Sequence, residues 1–359
     1  MGNHFADEYI PIIRKTDYME INEFFKEMNG DSAGVPGMRF IENFYDGVRV
    51  SDVYLVKTKN AALTKNGKEY LNVTLQDRTG QIDAKVWEPN SPGISDFDVL
   101  DYVYVEGNVS VYNGMNQLSI QRLRVAKEGS YDPKNYLPVS SRPAEEMETS
   151  LNQFIKSVKN PYLNKLLNII FVEDAAFRKK FMLHSAAKSV HHGYVGGLAE
   201  HTLSVAGICD DFAKHYADLH RDLLVTAALC HDIGKVRELT AFPRNDYSDE
   251  GQLIGHIVIG YQRITEVVGT IEGFPPTLAA ELGHCILAHH GELEYGSPKK
   301  PALMEAMALS FADNVDAKLE TMREALDAAD KNGKASEGDG WIGFNRLIDS
   351  NLRRTSNES

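Results

Sequence analysis

The sequence has few cysteines, no long apolar run and fewer basic than acidic residues. Its 3 cysteines, Cys209, Cys230 and Cys285, lie in apolar helical surroundings and form no C-x-x-C pair. This usage argues against a disulfide framework and indicates buried thiols that behave as small hydrophobic side chains. We therefore predict a reducing compartment and a cytoplasmic protein.

Membrane association is not expected. No apolar run approaches the roughly 20 residues that a membrane-spanning helix requires. The N-terminal stretch MGNHFADEYIPIIRK contains acidic residues and no long apolar segment, so it does not resemble a signal peptide.

Basic residues are also fewer than acidic residues. The chain of 359 residues has 38 basic and 51 acidic residues and a net charge of −13. Such a balance argues against a protein that coats nucleic acid in general. It leaves room for an enzyme that meets nucleic acid through a local basic surface and bound cations.

The periodicity of the sequence predicts a multidomain α+β protein. Residues 1–43 form a leader with a short helix, and residues 44–127 alternate apolar and polar residues as strands do. Residues 128–149, rich in Pro, Ser and charge, are predicted to be a linker. Residues 150–359 carry apolar faces at helical spacing and are predicted to be all-α, with a last helix over 341–354.

The strand-rich segment predicts an N-terminal five-stranded OB-type β-barrel. Turn chemistry separates its strands at Asn66-Gly67, Thr79-Gly80 and Asn113-Gly114. A short irregular element between the third and fourth strands favours the OB-type barrel. Any other five-stranded meander remains the alternative.

The helical half contains polar residues where a helix should be apolar. In AALCHDIGKVREL, His231 and Asp232 interrupt a run that is otherwise built for burial. One histidine on an inward face is usually a satisfied core residue. Here five histidines and two aspartates occupy the inward faces of five successive helices: His201, His231, Asp232, His256, His289, His290 and Asp313.

Burying these groups without partners would cost several kcal/mol each, roughly, and a metal ion removes that cost for the whole set. All the donors are imidazole or carboxylate, which suits Mn, Fe, Co or Zn and argues against a thiolate zinc site. Seven donors suit two divalent ions roughly 3.5–4 Å apart that share Asp232, an arrangement that hydrolyses phosphate esters.

The order H…HD…H…HH…D, with HDIGK, resembles the HD-domain phosphohydrolases. The segments HHGYVGGLAEHTLSV, HDIGKVREL, GHIVIG, AHHGELEYGSPKKP and EAMALSFADNVDAKL, behind an OB-like barrel, resemble the YhaM family of 3'-to-5' exoribonucleases. The resemblance extends over about residues 44–348. It implies a metal-dependent exonuclease that shortens single-stranded RNA with a metal-activated water, with single-stranded DNA as a second substrate and Mn2+ as the favoured metal.

The same resemblance implies roles for individual residues. It assigns His201, His231, Asp232 and Asp313 to one ion, and His256, His289 and His290, with Asp232 as the bridge, to the second. Lys235 would hold a phosphate oxygen; its alternative role is to complement a helix C-terminus. His191 and His192 would touch substrate, with His192 as a proton donor, or would stabilise a loop.

Local features offer a path for the polyanion. Arg178, Lys188 and Lys299 flank the predicted metal residues and would line an approach for phosphates, although solvated helix faces explain them equally well. Some barrel aromatics are candidates for stacking unpaired bases, while most are expected to be packing residues: Tyr54, Tyr70, Trp87, Tyr102, Tyr104 and Tyr112.

Two other functions stay open at this point. One is an HD-domain phosphohydrolase that acts on nucleotides or cyclic dinucleotides, although HHGELEYGSP lacks the Gly-Tyr-Pro ending typical of the cyclic-dinucleotide group. The other is a nucleic-acid-binding adaptor with an inactive core, which a missing ligand would indicate; none is missing. Homo-oligomer formation is compatible with the sequence, which does not determine it.

Overall fold

A computed structural model describes residues 38–64, 66–112, 114–132, 135–188, 192–331 and 340–356. These residues form two compact units. The first runs to Val139 and includes Phe242–Arg244, and the second contains Ser140–Ala241 and the chain from Asn245 onwards. Most of the predicted leader and the substrate candidate His191 lie outside the described residues. Within the described part of the chain, no helix combines the length and apolar character needed to cross a membrane.

The first unit is a closed five-stranded barrel, which confirms the predicted fold class. Its strands are β1 (Arg49–Leu63), β2 (Glu69–Asp77), β3 (Gly80–Val86), β4 (Tyr102–Tyr112) and β5 (Met115–Val125). The strand order is β1-β2-β3-β5-β4, and β1 pairs with β4 to close the barrel. Neighbours are antiparallel except β3 and β5, which run parallel.

Alternation of apolar and polar residues produces this barrel. On β3, Ile82, Ala84 and Val86 are buried while the residues between them reach solvent. The same period of two places alternate side chains of every strand in the barrel core. Two of the predicted turns have a left-handed glycine, Gly67 at φ +75° and Gly114 at φ +78°, which a side chain would disfavour.

The second unit is mainly helical. Its helices are α1 (Ala144–Ser157), α2 (Pro161–Asn168), α3 (Ala175–Leu183), α4 (Gly197–His215), α5 (Arg221–Cys230), α6 (Lys235–Glu238), α7 (Asp249–Ile254), α8 (His256–Thr270), α9 (Pro276–Leu287) and α10 (Met304–Lys331). Helix α1 begins inside the segment predicted as a linker. Helix α5 is apolar on all sides and is buried from Leu223 to Cys230, as expected of the central helix of a domain.

The predicted last helix over residues 341–354 is wrong, and the second unit is therefore not entirely α. The chain forms a hairpin of β6 (Trp341–Asn345) and β7 (Ser350–Arg353), paired antiparallel. The Asn345 side chain accepts hydrogen bonds from the backbone N–H groups of Leu347 and Ile348, which stabilises a turn where a helix would continue. Apolar residues spaced at 341, 344 and 348 resembled a helix face, and the turn chemistry outweighed that spacing.

Candidate metal centre

The seven predicted ligands converge in the core of the helical unit. We call them the donor cluster; each comes from a helix or from the turn next to one. His201 and Asp313 lie on α4 and α10, and His256 is the first residue of α8. The remaining members, His231, Asp232, His289 and His290, lie in the turns that follow α5 and α9.

Asp232 is the centre of the donor cluster. Its Oδ2 lies 3.4 Å from His201 Nε2 and 3.3 Å from His231 Nε2. Its Oδ1 lies 3.5 Å from His256 Nε2 and 3.8 Å from His289 Nε2. Each oxygen of one carboxylate therefore faces a different pair of imidazoles, which is the arrangement of a bridging ligand.

The two ends of the donor cluster are equally compact. His201 Nε2 lies 3.2 Å from Asp313 Oδ1. The donor atoms of His256, His289 and His290 lie within 4.8 Å of one another, as do those of His201, His231 and Asp232. The seven donors thus form two adjacent groups that share one carboxylate.

A close backbone approach places His256 beside Asp232. Gly234 follows the His231-Asp232 pair, and a Cβ on it would lie 2.0 Å from the carbonyl oxygen of His256 and 2.7 Å from the amide nitrogen of Gly260. Only glycine at position 234 lets the start of α8 pack this closely against the turn after α5. The sequence HDIGK therefore brings ligands of two helices together as well as supplying two of them.

Each histidine of the donor cluster uses Nδ1 outside the cluster. The Nδ1 atoms of His231, His289 and His290 donate to the carbonyl oxygens of Ala228, Ile286 and Tyr295 at 2.8, 2.7 and 2.8 Å. A carbonyl only accepts, so these nitrogens carry the proton and Nε2 presents a lone pair. This tautomer is the one that metal-binding histidines adopt.

Carboxylates hold the other two histidines in the same way. His201 Nδ1 donates to Asp316 Oδ2 at 2.7 Å, and His256 Nδ1 donates to Glu238 Oε1 at 2.8 Å. Sequence reasoning missed both acids. A signal for Asp316 was present, because it follows Asp313 by three residues and so lies on nearly the same face of α10.

The donor cluster fits a divalent cation on chemical grounds. Oδ1 of Asp232 and the Nε2 atoms of His256 and His289 are buried and, among the described residues, have no hydrogen-bond partner, while Oδ2 of Asp232 pairs with Lys235. His201 Nε2 and His231 Nε2 face each other at 3.3 Å although both rings already carry a proton on Nδ1. Converging lone pairs and carboxylates are stabilised by a cation and are costly without one.

Protonation in the donor cluster follows from its charges. Burial raises the pKa of Asp232, but Lys235 and His231 more than offset it and hold that pKa well below its usual range. Burial lowers the pKa of His289 well below its ordinary value, and neighbouring His290 lowers it further. A carboxylate and a neutral imidazole are the forms that bind metals.

The structure places the predicted catalytic residues at different depths. Lys235 Nζ lies 2.7 Å from Asp232 Oδ2, as an ion pair, at the edge of the donor cluster. His192 is buried, and its Nε2 lies 3.0 Å from Asp316 Oδ2 while its Nδ1 lies 2.9 Å from the hydroxyl of Tyr194. His192 therefore contacts the carboxylate that holds His201.

Two of the three predicted substrate-binding cations, Arg178 and Lys188, are bound to other residues. Arg178 donates to Asn152 and to the Phe171 carbonyl, and Lys188 pairs with Asp246 at 2.6 Å. Lys299 is exposed in the segment that follows His290. Arg178 and Lys188 thus have partners within the helical unit.

The barrel aromatics divide into packing and surface residues. Tyr54 is fully buried, and Tyr102 stacks on Tyr131 with ring centroids 4.0 Å apart. Trp87 is 45% exposed and stacks on Tyr70 at 5.0 Å. Of the remaining two candidates, Tyr104 is half-buried and Tyr112 is exposed. The barrel therefore presents an aromatic pair on its surface.

Comparison with known proteins agrees with this geometry. The HD domain family model matches residues 198–318, and a model described as an OB-fold nucleic acid binding domain matches residues 47–126. The 3'-5' exoribonuclease YhaM of Bacillus velezensis is 35% identical over 286 residues, which cover 78% of this chain and 88% of that protein. This chain belongs to the YhaM family.

A second member of the YhaM family gives the same alignment. The 3'-5' exoribonuclease YhaM of Bacillus subtilis strain 168 is 33% identical over 282 residues, covering 78% of this chain and 88% of that protein. Among solved structures, the second OB-fold domain of replication protein A from Methanococcus maripaludis is 19% identical, with a TM-score of 0.21, and covers 26% of this chain and 98% of that domain. At that TM-score the likeness adds nothing to the assignment.

Proposed function

We propose that this chain hydrolyses single-stranded RNA from its 3' end, in a metal-dependent reaction. The observation that carries the proposal is the donor cluster centred on Asp232, in a chain that also contains an OB-fold barrel and belongs to the YhaM family. Single-stranded DNA is the second substrate of the proposal, because the barrel's aromatic surface is indifferent to the sugar.

The proposal includes two divalent ions. His201, His231 and Asp313 would hold one, His256, His289 and His290 the other, and Asp232 would contact both through its separate oxygens. Mn2+ is the favoured ion for this mixture of imidazole and carboxylate donors, with Fe, Co and Zn as the alternatives. Ions bound there supply Lewis acidity and lower the pKa of water.

The chain's own residues bind and orient the substrate. Lys235 is partly buried, and although burial lowers its pKa, Asp232 raises that pKa above the usual value, so the ammonium remains charged. It is the cation nearest Asp232 among the described residues and is assigned a non-bridging phosphate oxygen. His192 is assigned to positioning, since Asp316 lies between it and His201.

RNA would reach the donor cluster with help from the barrel and from exposed cations. Trp87 and Tyr70 form the stacking surface, and Lys85 Nζ lies 5.7 Å from the centre of the Tyr70 ring, where it can meet a phosphate. Lys299 is the exposed cation closest in sequence to the ligand His290. Arg178 and Lys188 contribute only if they leave their present partners.

The remaining parts of the proposal are location and self-association. The three cysteines are free and buried, which supports a cytoplasmic protein. The face of α10 opposite Asp313 exposes Phe311, Val315 and Leu319 at one-turn spacing, which supports pairing with a second copy of the chain. Sedimentation of the wild type and a Phe311→Glu variant tests the pairing.

A time course on 5'-labelled single-stranded RNA with Mn2+ tests the activity. We expect a descending ladder of labelled products that is lost on adding EDTA and in the Asp232→Ala variant. A matched control is Asp211→Ala, because Asp211 is an exposed carboxylate on α4, the helix that carries His201. Intact RNA with the wild-type protein would contradict the proposal.

Parallel assays with nucleotides and cyclic dinucleotides distinguish the proposed function from its alternatives. If RNA stays intact while nucleotides or cyclic dinucleotides are hydrolysed, and Asp232→Ala abolishes that hydrolysis, the donor cluster serves a small-molecule phosphohydrolase. If no substrate is cut but the barrel binds RNA, the chain is an adaptor.

A further inference from the structure

Three residues of the donor cluster are more exposed than the other four. The side chains of His231 and His289 have no exposed surface, and that of Asp232 is 1% exposed. His256, Asp313 and His290 are only partly buried, so the side formed by these three residues is the mouth of the site. Any substrate must approach the cluster there.

Exposed apolar residues lie close in sequence to two residues of this mouth, His256 and His290. Leu253 and Ile254 end α7 and precede the ligand His256 by three and two residues, and both are exposed. Leu293 and Tyr295 form a short 3-10 turn after the ligand His290, and they are exposed as well, Tyr295 at 66%. Large apolar side chains beside a polar site are typical of ligand contacts.

Tyr295 is fixed to the site through its backbone. Its carbonyl oxygen accepts the Nδ1 proton of the ligand His290 at 2.8 Å, and its amide donates to the Glu292 carbonyl at 3.1 Å. Beyond it, Ser297 Oγ lies 3.0 Å from the Leu287 carbonyl oxygen and 2.8 Å from that of Lys299, and its one proton can be donated to either. The segment is therefore well anchored, and the ring of Tyr295 remains in solvent next to a metal ligand.

We infer that Tyr295 stacks on the 3'-terminal nucleobase of the RNA and holds the last nucleotide at the donor cluster. This inference rests on the proposed exoribonuclease activity. The scissile phosphate at the donor cluster is joined to the terminal base through a single ribose, so that base must lie close to the cluster, and Tyr295 is an exposed aromatic residue whose carbonyl oxygen holds the ligand His290.

Stacking also matches what an exonuclease needs from such a contact. The enzyme must accept each of the four bases in turn, so hydrogen bonds to base edges would stall it at some nucleotides. A tyrosine ring offers a flat apolar surface to every base and discriminates little among them. Leu253, Ile254 and Leu293 would exclude water around the base without reading its edges.

The test compares two RNA oligomers that differ only at the 3' end. One ends in adenosine and the other in an abasic ribose, and the rate of removal of the last nucleotide is measured with Mn2+. With wild-type enzyme we expect the abasic end to lower kcat/KM by roughly 5- to 100-fold, mainly through KM. Tyr295→Ala should lower kcat/KM by about the same factor on the oligomer that ends in adenosine. On the abasic oligomer it should lower kcat/KM very little.

Two variants serve as controls. Tyr295→Phe keeps the ring and should match the wild type on both oligomers. Tyr216→Ala removes an exposed tyrosine at the end of α4 and should also match it. Calorimetry should show the same Mn2+ affinity for Tyr295→Ala as for the wild type, because the backbone carbonyl that holds His290 remains.

The outcomes distinguish the inference from the proposed function. If Tyr295→Ala slows both oligomers equally, or if it still prefers the adenosine end as strongly as the wild type does, the stacking role is wrong while the exonuclease activity stands. If the wild type leaves both oligomers intact, the proposed activity is wrong, and the stacking role is overturned with it.

Discussion

Replacing Asp316 with asparagine should weaken metal binding without disrupting the helix that carries it. Asp316 Oδ2 accepts hydrogen bonds from His201 Nδ1 at 2.7 Å and from His192 Nε2 at 3.0 Å, and its Oδ1 accepts one from Ser204. Asparagine has the same shape but no charge, and its NH2 group donates where the carboxylate accepts. His201 would lose the charged partner that fixes its Nε2 toward Asp232.

The size of the effect follows from the environment of this carboxylate. Its side chain is 11% exposed, so water screens the interaction only weakly. A hydrogen bond to a charged group contributes about 1.5–3 kcal/mol, which corresponds to roughly 10- to 100-fold in a binding constant. Carboxylates that hold metal-binding histidines have effects of about the same size.

Calorimetric titration of the metal-free protein with Mn2+ measures this directly. We expect Asp316→Asn to bind Mn2+ about 10- to 100-fold more weakly. Asp327→Asn is the matched control, since Asp327 is an exposed carboxylate on the same helix. Wild-type affinity in Asp316→Asn would show that His201 does not depend on this contact.

Three other changes test separate parts of the structure. Gly234→Ala should lower the melting temperature by roughly 2–10 °C in calorimetry, because its Cβ would lie 2.0 Å from the His256 carbonyl oxygen. Gly207→Ala should leave the melting temperature unchanged or raise it, because nothing lies within 4 Å of a Cβ at that position. A lower melting temperature for Gly207→Ala than for Gly234→Ala would contradict the packing. Excess Mn2+ at 100 times Kd should stabilise the wild type by about 2.7 kcal/mol and so raise its melting temperature. EDTA should reverse the rise, and an equal rise in the Asp232→Ala variant would place the metal elsewhere. Trp87→Ala should weaken single-stranded RNA binding in EDTA by roughly 5- to 100-fold while Trp87→Phe retains most of it, and unchanged anisotropy in Trp87→Ala would exclude this surface.

The ligands could be predicted because each conflicts with its surroundings in the sequence. His231 and Asp232 interrupt an apolar helix, and the others recur on inward faces at helical spacing. Glu238 could not be found in this way, because a charge near the end of a short helix looks like any solvated residue. The spacing that places Asp316 on nearly the same face as Asp313 was a signal, but it does not reveal which side chain Asp316 holds. Their roles depend on which side chain of a different helix faces them.

The OB-type barrel and the terminal hairpin show that periodicity predicts long strands better than short ones. Alternation over many residues predicted five strands, and β1 to β5 follow it. The hairpin of β6 and β7 is only a few residues long on each strand, so its apolar positions match a helix as well as a strand. The Asn345 turn decided between the two, and such a local hydrogen bond leaves little trace in the periodicity.

The direction of the histidine protons gives the donor cluster its preference for cations. All five rings donate their Nδ1 proton to an acceptor outside the cluster, so five Nε2 atoms and two carboxylates converge on the same space. Among the described residues, Lys235 is the one lysine or arginine that pairs with Asp232. Burial lowers the pKa of His201, but Asp232, Asp313 and Asp316 raise it well above its ordinary value, so a proton there partly balances the negative charge. A divalent ion balances it better and must displace that proton, so metal binding should release protons and stabilise the helices that supply the ligands.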